Sequence, residues 1–231
     1  MVLAIVRKEL RETWLFAALA LGLFLVYLGH QITRWTSPPG NLLWWCVRWI
    51  PGMSAEAPDV PFVQGNFVTM LFFIGAVLAI TLGFRQSAWE PSQGTSLYLL
   101  HVPLRRRTIY VTKLLTGIGL LLLCTLLPIL VYATWAAVPG THPGPFEWSM
   151  TVPAFQQWLL LPLVYLGAFA SGIRPARWFG SRLLPLLSVG LTATLLALLA
   201  QWWLIASLLV LMFCCGVLIS DILWEAEARD Y

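Results

Sequence analysis

Charged residues are scarce in this sequence. Asp, Glu, Lys and Arg together make up 10% of its 231 residues, whereas roughly 25% is usual in a soluble globular domain. Two runs, Leu114 to Val138 and Leu183 to Ser220, contain none of these four residue types. Each run is at least as long as the roughly 20 residues that a membrane-spanning helix needs. The sequence therefore predicts a membrane protein.

The patterns of common catalytic and cofactor sites are also lacking. The sequence has no G-x-x-x-x-G-K-[ST] phosphate loop, so the chain is not expected to hydrolyse a nucleotide itself. Its three histidines are scattered, and its four cysteines show neither a disulfide framework nor a metal-binding spacing. The interiors of the predicted spans contain no ionisable Asp, Glu, Lys, Arg or His, which would mark a proton relay or an intramembrane catalytic site. We therefore predict no catalytic, metal or cofactor site in this chain.

Six apolar segments are predicted to cross the bilayer. The longest uncharged run, from Leu183 to Ser220, has 38 residues and as one helix would extend about 57 Å at 1.5 Å per residue. A hydrocarbon core about 30 Å thick cannot hold that length, so we expect two spans with a turn at Gln201 to Trp203. The predicted spans are residues 14–29, 66–84, 114–138, 154–171, 183–200 and 203–220.

Positive charge is distributed unevenly between the two sides of these spans. With both termini in the cytoplasm, 12 of the 14 Lys and Arg residues fall on the cytoplasmic side, and Arg34 and Arg48 fall outside. This asymmetry predicts that both termini are cytoplasmic, and it supports an even number of spans. The predicted location of this multi-pass protein is a bacterial-type inner or plasma membrane. It also accounts for the net charge of +4 without a nucleic-acid partner.

The first residues are predicted to form an amphipathic helix. Leu3, Val6, Leu10 and Trp14 recur at helical spacing, and basic residues fall on the other side. This pattern favours a helix that lies in the membrane interface before the chain turns into the bilayer. The alternative is that this segment simply extends the first span into the cytoplasm. The basic residues concerned are Arg7, Lys8 and Arg11.

Small and polar residues within the spans have two interpretations. They could line a path through the membrane, or they could pack and bridge neighbouring helices, which is the more common role. We favour the second interpretation, and we expect the same of Gly117 and Gly119. The polar residues concerned are Thr81, Thr125, Ser188, Thr192, Thr194 and Ser207.

The densest group of cations lies between spans two and three, in the stretch from Gly94 to Lys113. A short apolar segment of helical length, Ser96 to His101, comes first. Val102-Pro103 should then turn the chain, because proline lacks a backbone donor and disfavours helix in the residue before it. The cations that follow are predicted to lie at the cytoplasmic membrane surface. They are Arg105, Arg106, Arg107 and Lys113.

The same region resembles the permease subunits of ABC-2 type transporters. In that family the connection between spans two and three reads G-T…L-L-x-x-P-x-x-R…K-L-L. The corresponding residues here are Gly94-Thr95, Leu99-Leu100, Pro103, Arg106 and Lys113-Leu114-Leu115, with Glu90 at the start of the region. The layout of six spans with both ends inside agrees with this resemblance.

The resemblance implies an all-α polytopic fold over residues 1–231, with six transmembrane helices, an N-terminal elbow helix from Leu3 to Thr13 and a cytoplasmic coupling helix between spans two and three. In the family, the coupling helix docks on a separate ATP-binding subunit that holds ATP and Mg²⁺. Two membrane subunits pair as a homodimer or heterodimer, and export is the usual direction. The docking residues would be Ser96, Leu97, Tyr98, Leu99, Leu100 and His101, followed by the turn at Val102 and Pro103 and the interface anchors Arg105, Arg106, Arg107 and Lys113.

Two other functions are compatible with parts of this pattern. The chain could be an accessory membrane subunit that anchors an ATPase or other partner without forming a transport path. It could also be an intramembrane enzyme, but such enzymes need paired carboxylates and histidines within the spans, and these are lacking. The permease interpretation is preferred to the enzyme for this reason, and the accessory subunit, which shares every feature above, stays the alternative.

Overall fold

Six long helices make up most of the computed structural model, which describes residues 2–36, 60–63, 66–89, 105–142, 144–174, 179–200 and 203–228. Each helix is long and apolar enough to cross a membrane, so the protein is a multi-pass membrane protein with an all-α fold. The helices are α1 (Val2–Thr36), α2 (Asn66–Ser87), α3 (Arg106–Ala136), α4 (Val152–Ile173), α5 (Phe179–Ala200) and α6 (Leu204–Ala228). The predicted coupling helix, Ser96 to His101, and the turn at Val102 and Pro103 lie outside the described residues.

The long apolar runs set where these helices occur. α5 ends at Ala200 and α6 begins at Leu204, on either side of the predicted turn. α3 continues through Pro128, and α4 and α5 contain Pro162 and Pro185. Membrane helices tolerate proline because neighbouring helices and side chains can satisfy the backbone groups that it leaves free.

α1 differs from the prediction because it is one unbroken helix along its whole length. Its buried face repeats every four residues through Ile5, Glu9, Thr13 and Ala17. The residues expected to form the apolar face of an elbow helix point elsewhere, and Leu3 is 82% exposed. Glu9 faces the other helices and pairs there with Lys113. The helix continues from this segment into the first span without a turn. The first residues therefore extend the first span, as in the alternative interpretation.

α4 lies at the centre of the bundle. It packs against α2, α3, α5 and α6, whereas α1 packs against α2 and α3. Buried residues make up 56% of the most apolar part of the α4 segment, but 17% of the corresponding parts of α5 and α6. Tyr165 and Phe169 of α4 are among the largest fully buried side chains. α5 and α6 consequently present broad apolar surfaces to their surroundings.

The backbones of α2 and α4 touch at two glycines. A Cβ at Gly83 would lie 2.7 Å from the Cβ of Ala168 and 2.9 Å from the backbone oxygen of Tyr165. A Cβ at Gly172 would overlap the hydroxyl of Ser87. Small residues allow membrane helices to approach this closely. The contact holds the end of α2 against α4 and so positions the polar side chains described below.

Aromatic rings fill the other end of the bundle. The ring centroid of Tyr132 lies 4.7 Å from that of Phe67 and 4.9 Å from that of Phe62. Tyr132 also stacks on Trp135 at 5.6 Å. Phe62 has a positive φ of 64°, an uncommon conformation for a bulky residue. Burial of its ring among the others stabilises that conformation.

Candidate functional site

Basic residues meet at one end of the bundle, which we call the basic end. Here α1, α3 and α5 begin, and α2, α4 and α6 end. Arg34, near the end of α1, belongs to the opposite end. The described basic residues at the basic end are Arg7, Lys8, Arg11, Arg85, Arg105, Arg106, Arg107, Lys113, Arg174 and Arg182. The two ends of the bundle therefore differ strongly in charge.

A buried ion pair joins α1 to α3 at this end. The Nζ atom of Lys113 lies 3.7 Å from Oε1 of Glu9, and the two side chains are only 4% and 2% exposed. The same Nζ donates a 3.5 Å hydrogen bond to the backbone oxygen of Gln86, at the end of α2. Charges this deeply buried are stable only when they are paired and hydrogen-bonded. Lys113 therefore links three helices.

A second buried contact joins α2 to α4. The Tyr165 hydroxyl donates a 2.5 Å hydrogen bond to Oε1 of Gln86, and the Gln86 side chain is 3% exposed. Gln86 thus contacts Lys113 through its backbone and Tyr165 through its side chain. We call Glu9, Gln86, Lys113 and Tyr165 the buried polar cluster; its members come from four different helices.

Gly117 makes room for this cluster. A Cβ at this position would overlap both the Tyr165 hydroxyl and Oε1 of Gln86. The predicted close packing at Gly117 is therefore present. A Cβ at Gly119, in contrast, would have no described atom within 4 Å, so the same expectation fails there.

Most of the hydroxyl groups in the helices are satisfied within their own helix. Thr13 donates to the backbone oxygen of Glu9 at 2.7 Å, and Ser87 donates to that of Gly83 at 2.6 Å. The six polar residues considered from the sequence as lining a path do the same, and none bridges to another helix through these bonds. They are Thr81, Thr125, Ser188, Thr192, Thr194 and Ser207. Their hydroxyls therefore satisfy local backbone oxygens.

The ends of α4 and α5 are joined by a separate set of hydrogen bonds. The guanidinium of Arg182 donates to the backbone oxygens of Ser171 at 3.4 Å and Gly172 at 3.2 Å. In return, the Ser171 hydroxyl accepts a 3.0 Å bond from the Leu186 backbone N–H. The last carbonyls of a helix have no partner within it. Arg182 supplies partners for two of them at the end of α4.

The sequence-predicted anchors lie at the basic end, but they differ in exposure. Arg105 and Arg107 are exposed at the start of α3 and Arg106 is half-buried, and their place at a membrane surface stays a prediction. The sequence predicts Lys113 at the membrane surface. It is instead buried, because it lies within α3 on the side that faces Glu9 of α1. Arg7 and Arg11 are exposed on α1. The predicted docking residues themselves lie outside the described part of the chain.

Sequence reasoning missed Glu9, Gln86 and Tyr165. One signal could have found Glu9: it falls on the same helical face as Ile5, four residues before it, and Thr13, four residues after it. Gln86 and Tyr165 carry no comparable signal, because their contact depends on how α2 and α4 pack. The site is thus a product of tertiary structure.

The buried polar cluster offers fixed charges and hydrogen bonds between helices. Among the residues that the structure describes, no group of three or more His, Cys, Asp or Glu side chains could hold a metal ion. Comparison with known protein families, curated proteins and solved structures found no match to this chain. The resemblance carried by Glu90 to Leu115 therefore stays a prediction.

Proposed function

We propose that this protein is the permease subunit of an ATP-driven ABC-2 type transporter, acting as an exporter with a separate ATP-binding subunit. One observation supports this proposal most directly. The connection that would dock on the ATPase leaves α2 just after Gln86 and enters α3 at Arg106, about two turns before Lys113, and Gln86 and Lys113 both belong to the buried polar cluster. A force on that connection would therefore reach α1 and α4 as well as the two helices that it joins.

The cluster would transmit movement because it resists separation. Moving Glu9 away from Lys113 would separate two opposite charges in a low-dielectric interior, which costs several kcal/mol. The basic ends of α1, α2 and α3 should consequently move together. α5 and α6 are less buried and can shift relative to them at lower cost. ATP-driven closure of two partner subunits would use this difference to switch access between the two sides of the membrane.

The proposal includes an orientation and partners. The protein lies in a cell membrane with its basic end on the cytoplasmic side, as the positive-inside rule favours. ATP and Mg²⁺ bind to the partner ATPase, and a second membrane subunit, identical or different, completes the transporter. Export would then move cargo away from the basic end.

The proposal is tested at the predicted docking helix. Replacing Leu99 and Leu100 together by Glu should weaken binding of the ATP-binding subunit about tenfold or more, since apolar contacts at the centre of an interface carry much of its free energy. The measurement is co-purification of the ATPase from membranes, together with its ATP hydrolysis rate. The protein should still insert and purify normally.

The matched control replaces Leu99 and Leu100 by Met, which keeps the apolar surface and should leave binding intact. Normal ATPase binding by the Glu variant would overturn the proposal. ATP-dependent transport by vesicles that contain the complex separates a permease from an accessory subunit that only anchors the ATPase.

A further inference from the structure

A second feature of the basic end is an open pocket of about 760 Å³ outside the buried polar cluster. It lies between α1, the end of α2 and the start of α5. Two arginines and three aromatic rings dominate its lining: Phe16, Phe84, Arg85, Trp89 and Arg182. The pocket therefore combines positive charge with apolar walls.

Arg85 is held in this pocket with hydrogen-bonding capacity to spare. Its guanidinium carbon lies 4.1 Å from the ring centroid of Trp89, a cation–π contact that orients the group. Its Nε atom is buried, and within the described ranges it has no hydrogen-bond partner. A buried donor without an acceptor is costly. Among the described residues, the site is therefore short of at least one acceptor.

Arg182 approaches the pocket from α5 with its position fixed. Its bonds to the backbone oxygens of Ser171 and Gly172 use two of the five N–H donors of a guanidinium. These acceptors are neutral carbonyls, so they leave the positive charge uncompensated. Two arginines with spare donors on one pocket are suited to bind an anion such as a phosphate group.

An exposed apolar strip continues from the pocket along α2. Phe73 and Val77 are 65% and 51% exposed and lie at four-residue steps below Thr81, a pocket residue. The Thr81 hydroxyl is bonded to the Val77 backbone oxygen at 2.8 Å and does not interrupt the strip. From Phe73 to Arg85 the helix rises about 18 Å, close to the roughly 15 Å depth of one bilayer leaflet. An occupant with an anion at one end and an apolar tail fits this arrangement.

We propose that this pocket binds an anionic glycerophospholipid, with its phosphate between Arg85 and Arg182 and an acyl chain along the strip from Thr81 to Phe73. Basic pockets between membrane helices recognise anionic lipid headgroups in this way. A soluble phosphate would use the arginines but leave the strip unoccupied. The lipid would contact α1, α2 and α5 at the basic end. This site is independent of the transport function proposed above.

The test measures lipid binding to the purified full-length chain. After delipidation in mild detergent, phosphatidylglycerol is added, and bound lipid is counted by native mass spectrometry, with phosphatidylcholine as the neutral comparison. We expect one phosphatidylglycerol per chain to bind preferentially. Arg85→Gln should weaken its binding about tenfold, the loss expected for a charge-assisted hydrogen bond to phosphate.

Three controls make the result decisive. Arg85→Lys keeps the charge and should bind more tightly than Arg85→Gln, which separates lipid binding from a folding defect. Arg105→Gln removes an exposed cation from the same end without touching the pocket and should bind like the wild type. Phe73→Ala should weaken lipid binding, whereas Leu123→Ala, which is equally exposed on α3, should not.

Two outcomes would overturn the proposal. Equal losses in Arg85→Gln and Arg105→Gln would mean that the lipid follows overall charge. Thermal stabilisation by inorganic phosphate as large as that by phosphatidylglycerol would assign the pocket to a soluble anion. The expected result is stabilisation by the lipid alone, lost in Arg85→Gln.

Discussion

At the scale of single residues, α1 carries two Lys–Glu contacts of nearly equal length in different surroundings. Lys113 lies 3.7 Å from Glu9 in the buried polar cluster, and Lys8 lies 3.8 Å from Glu12 on the surface of the helix. The first pair is almost fully buried, while the side chains of the second are 37% and 31% exposed. The distance alone therefore says little about how much each pair contributes to the stability of the protein.

Removing one charge should separate the two pairs. Glu9→Gln removes the carboxylate that faces the buried Lys113 ammonium, and we expect the free energy of unfolding to fall by about 3–5 kcal/mol. Glu12→Gln should lower it by no more than about 0.5 kcal/mol, because water and the headgroup region screen the exposed pair. Unfolding by SDS titration in mixed micelles measures both changes.

A double variant supplies the control. Glu9→Gln combined with Lys113→Met removes both buried charges and should be more stable than Glu9→Gln alone. If Glu9→Gln and Glu12→Gln destabilised the protein equally, burial of the ion pair would not be the source of its importance.

At the scale of the helices, the contact between α2 and α4 depends on the absence of a side chain at Gly83. Alanine normally stabilises a helix relative to glycine by about 1 kcal/mol. At this position the added methyl group would press on Ala168 and on the α4 backbone. Local preference and tertiary packing therefore act in opposite directions here.

Gly83→Ala should destabilise the protein by about 1–3 kcal/mol, the usual cost of overpacking. Gly119→Ala, with no described atom within 4 Å of the added Cβ, should leave stability unchanged or raise it by up to about 1 kcal/mol. Thermal unfolding of the two purified variants compares them. Equal stabilisation by both substitutions would contradict the close approach of α2 and α4.

The helices also show which features can be predicted from the sequence. The six spans follow from apolar runs, two of which, Leu114 to Val138 and Leu183 to Ser220, exceed the width of a bilayer. Their existence therefore needs no knowledge of neighbours. The orientation of α1 does not follow, because Leu3 and Trp14 form an apolar face that turns outward in a membrane protein, where lipid can cover it. The burial of Lys113 does not follow from the sequence either, because it depends on Glu9 of another helix.

At the scale of the whole molecule, charge and burial divide the bundle in two directions. Along the helix axes, the basic end lies at one end of the bundle, and aromatic rings pack around Tyr132 at the other. Across the bundle, α4 is enclosed while α5 and α6 are largely exposed. The first division bears on the proposed orientation in the membrane, and the second bears on the proposed movement of α5 and α6.

The proposed orientation can be tested by labelling single cysteines with a membrane-impermeant maleimide. Val138, beyond the end of α3, and Leu3, near the start of α1, are both exposed and belong to opposite ends. In a background in which Cys46, Cys124, Cys214 and Cys215 are replaced by Ser or Ala, Val138→Cys should react in intact cells, and Leu3→Cys should react only after the membrane is permeabilised. The reverse pattern would place the basic end outside the cell and would contradict the proposal.

The buried ion pair also constrains the order in which the protein is built. Glu9 emerges from the ribosome long before Lys113, so α1 reaches the membrane while its carboxylate still has no buried partner. A carboxylate buried in protein without a partner is unstable, so the first turns of α1 stay exposed to water at this stage. Only when α3 has been made can α1 dock along its full length, which makes its final position a late event of biogenesis.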